Sequence, residues 1–547
     1  MERLFETHRI RKTKELGGLW DFWTLKDMEH PRKIVVPSCL ETYPGLENYR
    51  GISTYQTTLW GGGNLHFIFK GISHTGTVYL DGKEIGYHYN AFTPFEITVP
   101  GVDTGRHLLN VVVDNSMNEE SALHVVNDYF TYGGINRPVF IEEVPDLYIE
   151  RIHVIPRKEN GTWTGEVSIR LRNLRFEAEA ALQLYVGEKR VATIPVTIPS
   201  GCYEIQEVLT FDEVEEYTPA HPKLYFLRAE LEQDQQTTDD LIERIGFRQI
   251  TIKGTDILWN GEKIKIKGFN RHEDHALYGC ALPLEAMDYD LRLMEDMHAN
   301  AVRTCHYPND ELFLDLCDEK GIMVWEEGHA RGLSEEQMRH KNFRSQSLQV
   351  LEEMVDNHSN HPSIFTWGIL NECASETEYG REIYKEQFEK IKSMDPSRPL
   401  TFASCKYGTD ICFDLVDIVS MNNYPLWYHD SPASEYLQEV YDWIQTTEGR
   451  GKPYIVSEIG AGAIPGCHAP GNPKWSEERQ AKILKEQLEA VLSHEKTTGA
   501  FIWQFCDGRV SEEWFASRPR SMNNKGVVDE YRRKKMSYET VKEIFKR

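Results

Sequence analysis

The sequence predicts three folding units, in which two β-sandwiches precede a C-terminal (β/α)8 TIM barrel. Short alternating apolar runs, separated by turn residues, fill the first half of the chain. After Ile252, strand-like runs alternate with amphipathic helical stretches, and two of the buried runs end on glutamates. A chain of 547 residues exceeds what one hydrophobic core supports, so several domains are expected.

Residues 1–145 are predicted to form a jelly-roll-like β-sandwich of the sugar-binding type. The runs at 65–71, 76–80 and 107–114 read as strands, and Asp81-Gly82 is typical of a tight hairpin turn. Because no helical periodicity interrupts these strands, the segment is predicted to be all β.

Residues 146–250 show the same pattern of short alternating apolar runs and are predicted to form a second β-sandwich. Strand-like runs occur at 147–154 and 165–171. A segment of about 100 residues has the size of an immunoglobulin-like domain.

Residues 251–547 are predicted to form the catalytic barrel, because eight strand-and-helix units fit into this length. One predicted helix carries Ile483, Leu484, Leu488 and Leu492 on a single face. The predicted strands lie near 264–269, 300–304, 322–326, 364–370, 400–404, 417–421, 454–457 and 499–504, and three of the predicted helices cover 286–298, 309–320 and 478–494.

Composition excludes several classes of function. The formal charge of -25 would repel a polyanion, so nucleic acid is not an expected partner. No window approaches 18 apolar residues, so no membrane span is expected. Ten cysteines without a CxxC pair indicate free thiols in a reducing compartment, and the N-terminus has no apolar signal core. We therefore expect a cytoplasmic location.

Two short motifs place glutamates at the ends of predicted barrel strands four and seven. The run Phe365–Ile369 leads to Asn371-Glu372, and the run Tyr454–Ser457 leads to Glu458. Side chains at the carboxyl ends of barrel strands form the active site in this fold. Two carboxyl groups, one as acid/base and one as nucleophile, are what retaining cleavage of a glycosidic bond requires.

Two further polar residues stand close to these glutamates. Asn371 precedes Glu372 and is a candidate donor to the sugar 2-hydroxyl. Arg303 ends predicted strand two, where its guanidinium would hold the nucleophile ionised.

At this level of detail the chain resembles glycoside hydrolase family 2. The resemblance rests on Asn270-Arg271-His272-Glu273, on 301–308 (AVRTCHYP), and on 361–363 followed by 367–372. It covers essentially the whole chain, and the order of sandwich, immunoglobulin-like domain and barrel is the order in the family. The resemblance implies that Glu372 is the acid/base, that Glu458 is the nucleophile, and that the anomeric configuration is retained.

The segment Asn523-Asn524-Lys525 is similar to the Asn-x-Lys motif with which the β-glucuronidases of this family hold the carboxylate of the sugar. An amide and an ammonium can bind a carboxylate by charge-assisted hydrogen bonds. The motif follows predicted strand eight, beside the expected pocket, and therefore implies a uronide substrate.

The resemblance implies roles for five further residues, each of which has a structural alternative. Tyr424 would touch the nucleophile, Tyr428 would line the sugar pocket, and Trp503 would form a stacking wall. Asp128, on a loop of the first sandwich, and His272 would serve the distal sugar hydroxyls. A capping or core position is the alternative for the aromatic residues, and a turn or core position for Asp128 and His272.

No metal and no cofactor are expected. The segment His272-Glu273-Asp274-His275 matches no zinc signature. The β-galactosidases of the resembled family use ions at the site, whereas its glucuronidase-like members need none.

The loop after predicted strand three is short, whereas some bacterial β-glucuronidases carry a long insert there. A more open mouth makes an oligosaccharide or a large aglycone possible beside a small molecule. Arg331, Arg339 and Arg344 in this segment are candidates for a second cation near the pocket.

We predict a retaining exo-β-glucuronidase of bacterial type that forms a homo-oligomer. The nearest alternative is a β-galacturonidase or a dual hexuronidase, because the two sugars differ only at C4 and Asn-x-Lys would serve either. A β-galactosidase, or a non-catalytic carbohydrate-binding protein on the same scaffold, is the remaining alternative.

Overall fold

A computed structural model describes residues 2–547. The first unit is built on an eight-stranded antiparallel sheet. Six of its strands follow the order β1-β10-β4-β8-β6-β7, and the other two, β2 and β3, join through the pairing of β2 with β4. Register shifts near Gly61 and Gly63 let the long strands β4 and β8 bend around a core that includes Trp20, Phe22 and Phe67. The strands are β1 (Thr13–Glu15), β2 (Gly18–Thr24), β3 (Arg32–Val36), β4 (Ile52–Phe69), β5 (Ile72–Ser73), β6 (Thr75–Leu80), β7 (Lys83–Tyr89), β8 (Phe95–Asp114), β9 (Gly134–Ile135) and β10 (Val139–Val144).

The second unit is a seven-stranded sandwich. Sheet β11-β12-β15 faces sheet β14-β13-β16-β17 across a core that contains Trp163, Leu182 and Phe247. Its strands are β11 (Leu147–Glu159), β12 (Thr162–Asn173), β13 (Ala178–Val186), β14 (Lys189–Ile198), β15 (Gly201–Phe211), β16 (Tyr225–Gln233) and β17 (Gln236–Ile245).

A small sheet, made of β18 (Ile250–Lys253), β19 (Asp256–Trp259) and β20 (Glu262–Lys263), leads into a closed parallel barrel of eight strands. The barrel strands are β21 (Ile266–Arg271), β22 (Ala301–Thr304), β23 (Met323–Glu327), β24 (Ile364–Ile369), β25 (Leu400–Ser404), β26 (Val419–Asn422), β27 (Tyr454–Ile459) and β28 (Thr497–Ile502).

Within residues 2–547, eight α-helices accompany the barrel. They are α1 (Leu284–Asp296), α2 (Glu311–Lys320), α3 (Glu335–Met338), α4 (Phe343–His358), α5 (Glu378–Met394), α6 (Ala433–Ile444), α7 (Glu477–Ser493) and α8 (Met536–Phe545). The loop after β28 carries two short 3₁₀ turns, Glu512–Ser517 and Pro519–Ser521, and the strands β29 (Gly508–Arg509) and β30 (Met522–Asn523).

The predicted fold class is confirmed, and each predicted barrel strand overlaps an observed one. Helix boundaries differ from the predicted ones by one or two residues because local caps set them. The Asp310 side chain accepts from Leu312 N and starts α2, which ends where Gly321 takes a left-handed φ of 68°. On α7, Leu484 and Leu488 are buried as expected, whereas Leu492 is only partly buried.

The sandwiches contact the barrel through buried ion pairs. Arg137 donates to Glu273 at 2.8 Å, and Arg3 donates to Asp315 at 2.8 Å. The predicted domain limits at 145/146 and 250/251 stay predictions. None of the helices in the described part of the chain has the length and apolarity that crossing a membrane requires.

Candidate active site

A pocket of about 200 Å³ opens at the carboxyl ends of the barrel strands. Three carboxylates and three cations line it, together with aromatic, amide, imidazole and thiol groups. The lining residues are Asp128, His306, Arg331, Glu372, Cys405, Asn422, Tyr424, Tyr428, His429, Tyr436, Glu458, Trp503, Arg518 and Lys525. Both glutamates singled out in the sequence therefore meet in one cavity.

Glu458 near the end of β27 is buried and held by two donors. Arg303 Nη1 donates to its Oε1 at 3.1 Å, and the Tyr424 hydroxyl donates to its Oε2 at 2.6 Å. Burial and the neighbouring Glu372 raise the pKa of Glu458 to about 7, while Arg303 and Tyr424 act in the opposite direction. Both donors favour the ionised form that a nucleophile needs.

Arg303 is fully buried and connects four acceptors. Besides Glu458, it donates to Glu327 from Nε at 2.8 Å, to Asn270 Oδ1 at 2.9 Å and to Asn371 Oδ1 at 2.9 Å. Burial raises the pKa of Glu327 to about 7, against the effect of Arg303. The guanidinium therefore orients the nucleophile and lies behind the pocket wall, not in the lining.

Glu372 follows β24 on a constrained backbone. Leu370 has a φ of 23° and Glu372 a φ of 54°, values that side-chain-bearing residues rarely adopt. The backbone amide of Glu372 donates to Ala403 O at 2.9 Å. Its carboxyl group accepts from Asn422 Nδ2 at 2.9 Å and faces Arg331 Nη2 at 3.5 Å.

Asn371 is buried, and its carbonyl oxygen accepts from Arg303 and, at 3.2 Å, from Asn422. Its amide nitrogen has no hydrogen-bond partner among residues 2–547. An unpaired buried donor is costly unless a ligand satisfies it. The geometry thus leaves Asn371 Nδ2 free for a substrate hydroxyl.

Lys525 is buried to 3% exposure next to Asn523, which is equally buried. Its Nζ donates to Asn523 Oδ1 at 3.4 Å and lies 5.8 Å from the centre of the Tyr428 ring. No carboxylate of the described chain lies within ion-pair distance of this ammonium, although Asp128 is near enough to sense its charge. Lys525 therefore faces the pocket without a strong anionic partner.

Asp128 reaches this site from the first sandwich, as the family resemblance implies. Arg518 on the loop after β28 donates to both of its carboxylate oxygens, and Asn523 Nδ2 lies 3.3 Å from Oδ2. Burial raises the pKa of Asp128, but the bonds from Arg518 and the charges of Lys525 and Arg331 outweigh it and hold that pKa below its usual range.

Arg331 is the one member of the predicted arginine segment that lines the pocket. Its Nη2 lies 4.0 Å from Asp128, and its guanidinium stands 5.6 Å from the Trp514 ring, on which Arg518 also packs at 5.5 Å. Arg339 and Arg344 instead form exposed ion pairs with helix residues, so the expectation of a second cation holds for Arg331 alone.

Trp503 and Tyr428 line the pocket, and Tyr428 is half exposed. His272 lies behind this wall: its ring meets the Trp503 ring edge-on at 5.4 Å, and its Nδ1 is 3.1 Å from the Tyr307 hydroxyl. Its contact with sugar hydroxyls stays a prediction, because the side chain is not among those that line the cavity.

Sequence reasoning missed four contributors. Glu327 ends β23, so the strand-end argument that found the other glutamates would also have found it. Asn422 and His306 end or follow strands in the same way. Arg518 carries no such signal, because it reaches Asp128 only through the folding of an irregular loop.

Two clusters have the residue types of a metal site. Asp315, Asp318 and His361 lie together, but Arg3 and Arg244 already pair with these carboxylates. His272, Cys305 and His306 form the second cluster, beside Trp503.

Comparison with known proteins agrees with this geometry. Residues 250–547 match the family model for the TIM barrel domain of glycosyl hydrolases family 2. A β-glucuronidase from Paenibacillus borealis is 26% identical over 91% of each chain, and the mouse enzyme is 31% identical over 75% of this chain and 63% of its own. A solved β-galacturonidase from Eisenbergiella tayi, bound to galacturonate, is 51% identical and superposes with a TM-score of 0.98 over 100% of this chain and 99% of its own.

Proposed function

The chain belongs to glycoside hydrolase family 2, and we propose that it is a retaining, exo-acting β-uronidase. It would release β-D-glucuronic acid or its C4 epimer from the non-reducing end of a uronide. Both curated relatives named above are β-glucuronidases, and the solved relative is a β-galacturonidase.

The buried ammonium of Lys525 carries this proposal. An unpaired charge is expensive to bury, so its position is favourable only when an anion arrives from outside. The sugar carboxylate would accept from Lys525 Nζ and from the amide of Asn523. A neutral hexose would leave the ammonium without an anionic partner.

The charges around the pocket support a monoanionic sugar. Among the lining residues, three carboxylates face three cations. An acid/base must hold one proton before it can protonate the leaving group. With that proton on Glu372, one positive charge remains in excess, and one uronate carboxylate balances it. The local excess also offsets the net charge of -25, which repels anions at long range.

In the first step Glu458 attacks the anomeric carbon, while Glu372 donates its proton to the glycosidic oxygen as the bond to the aglycone breaks. Arg303 and Tyr424 hold the attacking carboxylate in place. Asn371 Nδ2 would donate to the 2-hydroxyl, a bond that strengthens as positive charge develops at the anomeric centre.

In the second step Glu372 takes a proton from water, which attacks the glycosyl ester and frees Glu458. Two displacements at one carbon retain the anomeric configuration. Trp503 would form a face of the sugar pocket, and Tyr428 would line it near Lys525.

Galacturonide is the second candidate sugar, and Arg331 is the donor that would read the configuration at C4. Asp128, the acceptor expected for distal hydroxyls, is already bound by Arg518, while Arg331 places a donor 4.0 Å from it. A wall rich in donors distinguishes an axial from an equatorial 4-hydroxyl, because only one of them can meet the guanidinium. The observation that favours the galacturonide is the 51% identity to the solved β-galacturonidase.

Turnover of p-nitrophenyl β-glucuronide, β-galacturonide, β-galactoside and β-glucoside by the pure protein tests the proposal. Uronides should be cleaved far faster than the neutral sugars, and the ratio between the two uronides decides the C4 preference. Equal rates on uronides and neutral sugars would contradict it.

The proposal also covers the cellular location, the aglycone, the origin and the oligomeric state. All ten cysteines are free, which supports a reducing, cytoplasmic location. The short loop after β23 supports a mouth open to small or oligosaccharide aglycones. A bacterial origin and a homo-oligomeric state, expected from the family resemblance, are proposed with it.

A further inference from the structure

The cluster of His272, Cys305 and His306 lies next to the nucleophile but takes no part in the mechanism above. One ring nitrogen from each histidine and Cys305 Sγ lie within 4.8 Å of one another, and all three side chains are buried. Two imidazoles and a thiolate form a donor set that zinc and other thiophilic divalent ions prefer.

Neighbouring residues orient each ring through its Nδ1 atom. His306 Nδ1 is 2.8 Å from Glu327 Oε1, and His272 Nδ1 is 3.1 Å from the Tyr307 hydroxyl. A carboxylate behind a ligating imidazole is the arrangement that fixes its tautomer in metal sites.

His272 supplies an independent observation. Its Nε2 has no hydrogen-bond partner within residues 2–547, although the residue is only 5% exposed. A buried polar nitrogen without a partner calls for an unseen one, and a metal ion would serve.

We propose that His272, Cys305 and His306 form a binding site for a thiophilic divalent cation such as Zn²⁺ or Cd²⁺, and that an ion bound there inhibits turnover. As the sulfur–metal bond forms, the Cys305 thiol releases its proton to solvent. Both imidazoles donate lone pairs, and a water molecule takes the fourth position. Metal–ligand bonds of about 2.0–2.3 Å require the donor atoms to approach one another by about 1 Å.

The route to the site and the cause of inhibition follow from the contacts of His306. His306 lines the substrate pocket, and its ring stacks on Trp503 at 5.0 Å. Its Nδ1 lies 3.4 Å from Nη2 of Arg303, which holds Glu458. A cation at this site repels the Arg303 guanidinium, withdraws negative charge from the Glu458 carboxylate and displaces the Trp503 ring. Because the ion enters through the substrate pocket, a bound uronide blocks its access.

Cadmium titration of the chelator-treated enzyme tests the site without substrate. A cadmium–thiolate bond gives an ultraviolet charge-transfer band, which should saturate at one equivalent and disappear with EDTA. Turnover should fall in parallel and return with EDTA. Cys305→Ser should abolish the band and weaken inhibition about 100-fold or more, since even loss of an outer-shell partner costs 10–100-fold in affinity.

Two further variants, one at a proposed ligand and one at a distant thiol, test whether the effect is specific to this site. His272→Gln should weaken cadmium binding while the thiolate band persists at higher cadmium, and thermal unfolding shows whether either ligand variant is folded. Cys202→Ser, on an exposed thiol of the second sandwich, should change nothing.

If the band survives Cys305→Ser or disappears in Cys405→Ser, the pocket thiol binds the ion and the inference is wrong. Inhibition without a thiolate band would place the ion on the catalytic carboxylates and would also overturn it. The inhibition arm rests on the proposed glycosidase function, whereas the band reports binding whichever sugar is cleaved.

Discussion

Around Glu458 the chain supplies its own partners, whereas around Lys525 it leaves a charge for the ligand to satisfy. Arg303 and Tyr424 hold the Glu458 carboxylate at 3.1 and 2.6 Å. Lys525, equally buried, has no carboxylate at ion-pair distance within residues 2–547; its ammonium donates to the Asn523 amide oxygen at 3.4 Å and interacts with the Tyr428 hydroxyl. The two arrangements suit different roles. The reacting carboxylate of Glu458 must be held in one position, whereas the ammonium of Lys525 must form its strongest interaction with the substrate.

The two sides also come from different parts of the fold. Glu458, Arg303 and Tyr424 sit at or just beyond the ends of β27, β22 and β26. Lys525 and Asn523 belong to the loop after β28, and the Asp128 that bonds Asn523 comes from the first sandwich. The nucleophile side is therefore a property of the barrel, and the carboxylate side is a property of how loops and domains meet.

The largest expected effect is on the nucleophile side, at Glu458. Glu458→Gln removes the nucleophile without removing its volume, and kcat on the preferred uronide should fall at least about 10⁴-fold. Calorimetric titration with glucuronate and galacturonate should still show binding, because Lys525 is unchanged.

Glu495→Gln, on an exposed glutamate ahead of β28, is the matched control and should turn over normally. Wild-type turnover by Glu458→Gln would contradict its role as the nucleophile, whereas sugar binding without turnover by the unmodified chain would favour a non-catalytic sugar-binding protein.

On the carboxylate side, Lys525→Ala should cost about 2–4 kcal/mol of transition-state binding on uronides, or about 30- to 1000-fold in kcat/KM. The reason is the loss of the charge-assisted bond to the sugar carboxylate. Lys534→Ala, on a half-exposed lysine, is the control. An equal loss on the neutral β-galactoside would mean that Lys525 supports the fold rather than the carboxylate.

Tyr424→Phe tests the hydrogen bond to the nucleophile through the pH dependence of kcat/KM. The Tyr424 hydrogen bond lowers the pKa of Glu458, which burial and Glu372 nevertheless raise to about 7, so removal of the bond should raise that pKa further. Activity requires the ionised carboxylate and falls as pH drops through this value. The acidic limb of kcat/KM should thus move to higher pH, with about a 10- to 100-fold loss near neutrality. An unmoved limb would show that another group titrates there.

Much of the nucleophile side could be predicted, because the pattern of apolar runs locates the barrel strands and the ends of those strands locate the glutamates. Strand ends in a parallel barrel meet at one face, so two glutamates that end apolar runs must lie near each other. The same logic would have reached Glu327 at the end of β23. The left-handed backbone at Glu372 could not be foreseen, because only tertiary contacts such as its bond to Ala403 make it favourable.

The carboxylate side was open to prediction only through the resemblance. Nothing in the residues around Arg518 indicates that it binds Asp128 across 390 positions of sequence. Nor could spacing distinguish Arg331 from Arg339 and Arg344, because only the fold shows that Arg331 lies on the loop, that Arg339 caps α3 and that Arg344 lies in α4. His272 likewise meets Cys305 and His306 through strand pairing between β21 and β22, not through its chain neighbours.

The smallest and most selective effect should come from Arg331→Ala. Arg331 touches neither Glu458 nor Lys525 but stands between Glu372 and Asp128, at 3.5 and 4.0 Å. If its guanidinium reads the 4-hydroxyl, its loss should lower kcat/KM on galacturonide about tenfold relative to glucuronide, the discrimination that one hydrogen bond of about 1.4 kcal/mol provides. Parallel assays on the two p-nitrophenyl uronides measure this ratio, with Arg339→Ala as the control from the same segment. A fall that is equal on both uronides would assign Arg331 to Glu372 alone, and the choice between the epimers would then rest on Arg518 and Asp128.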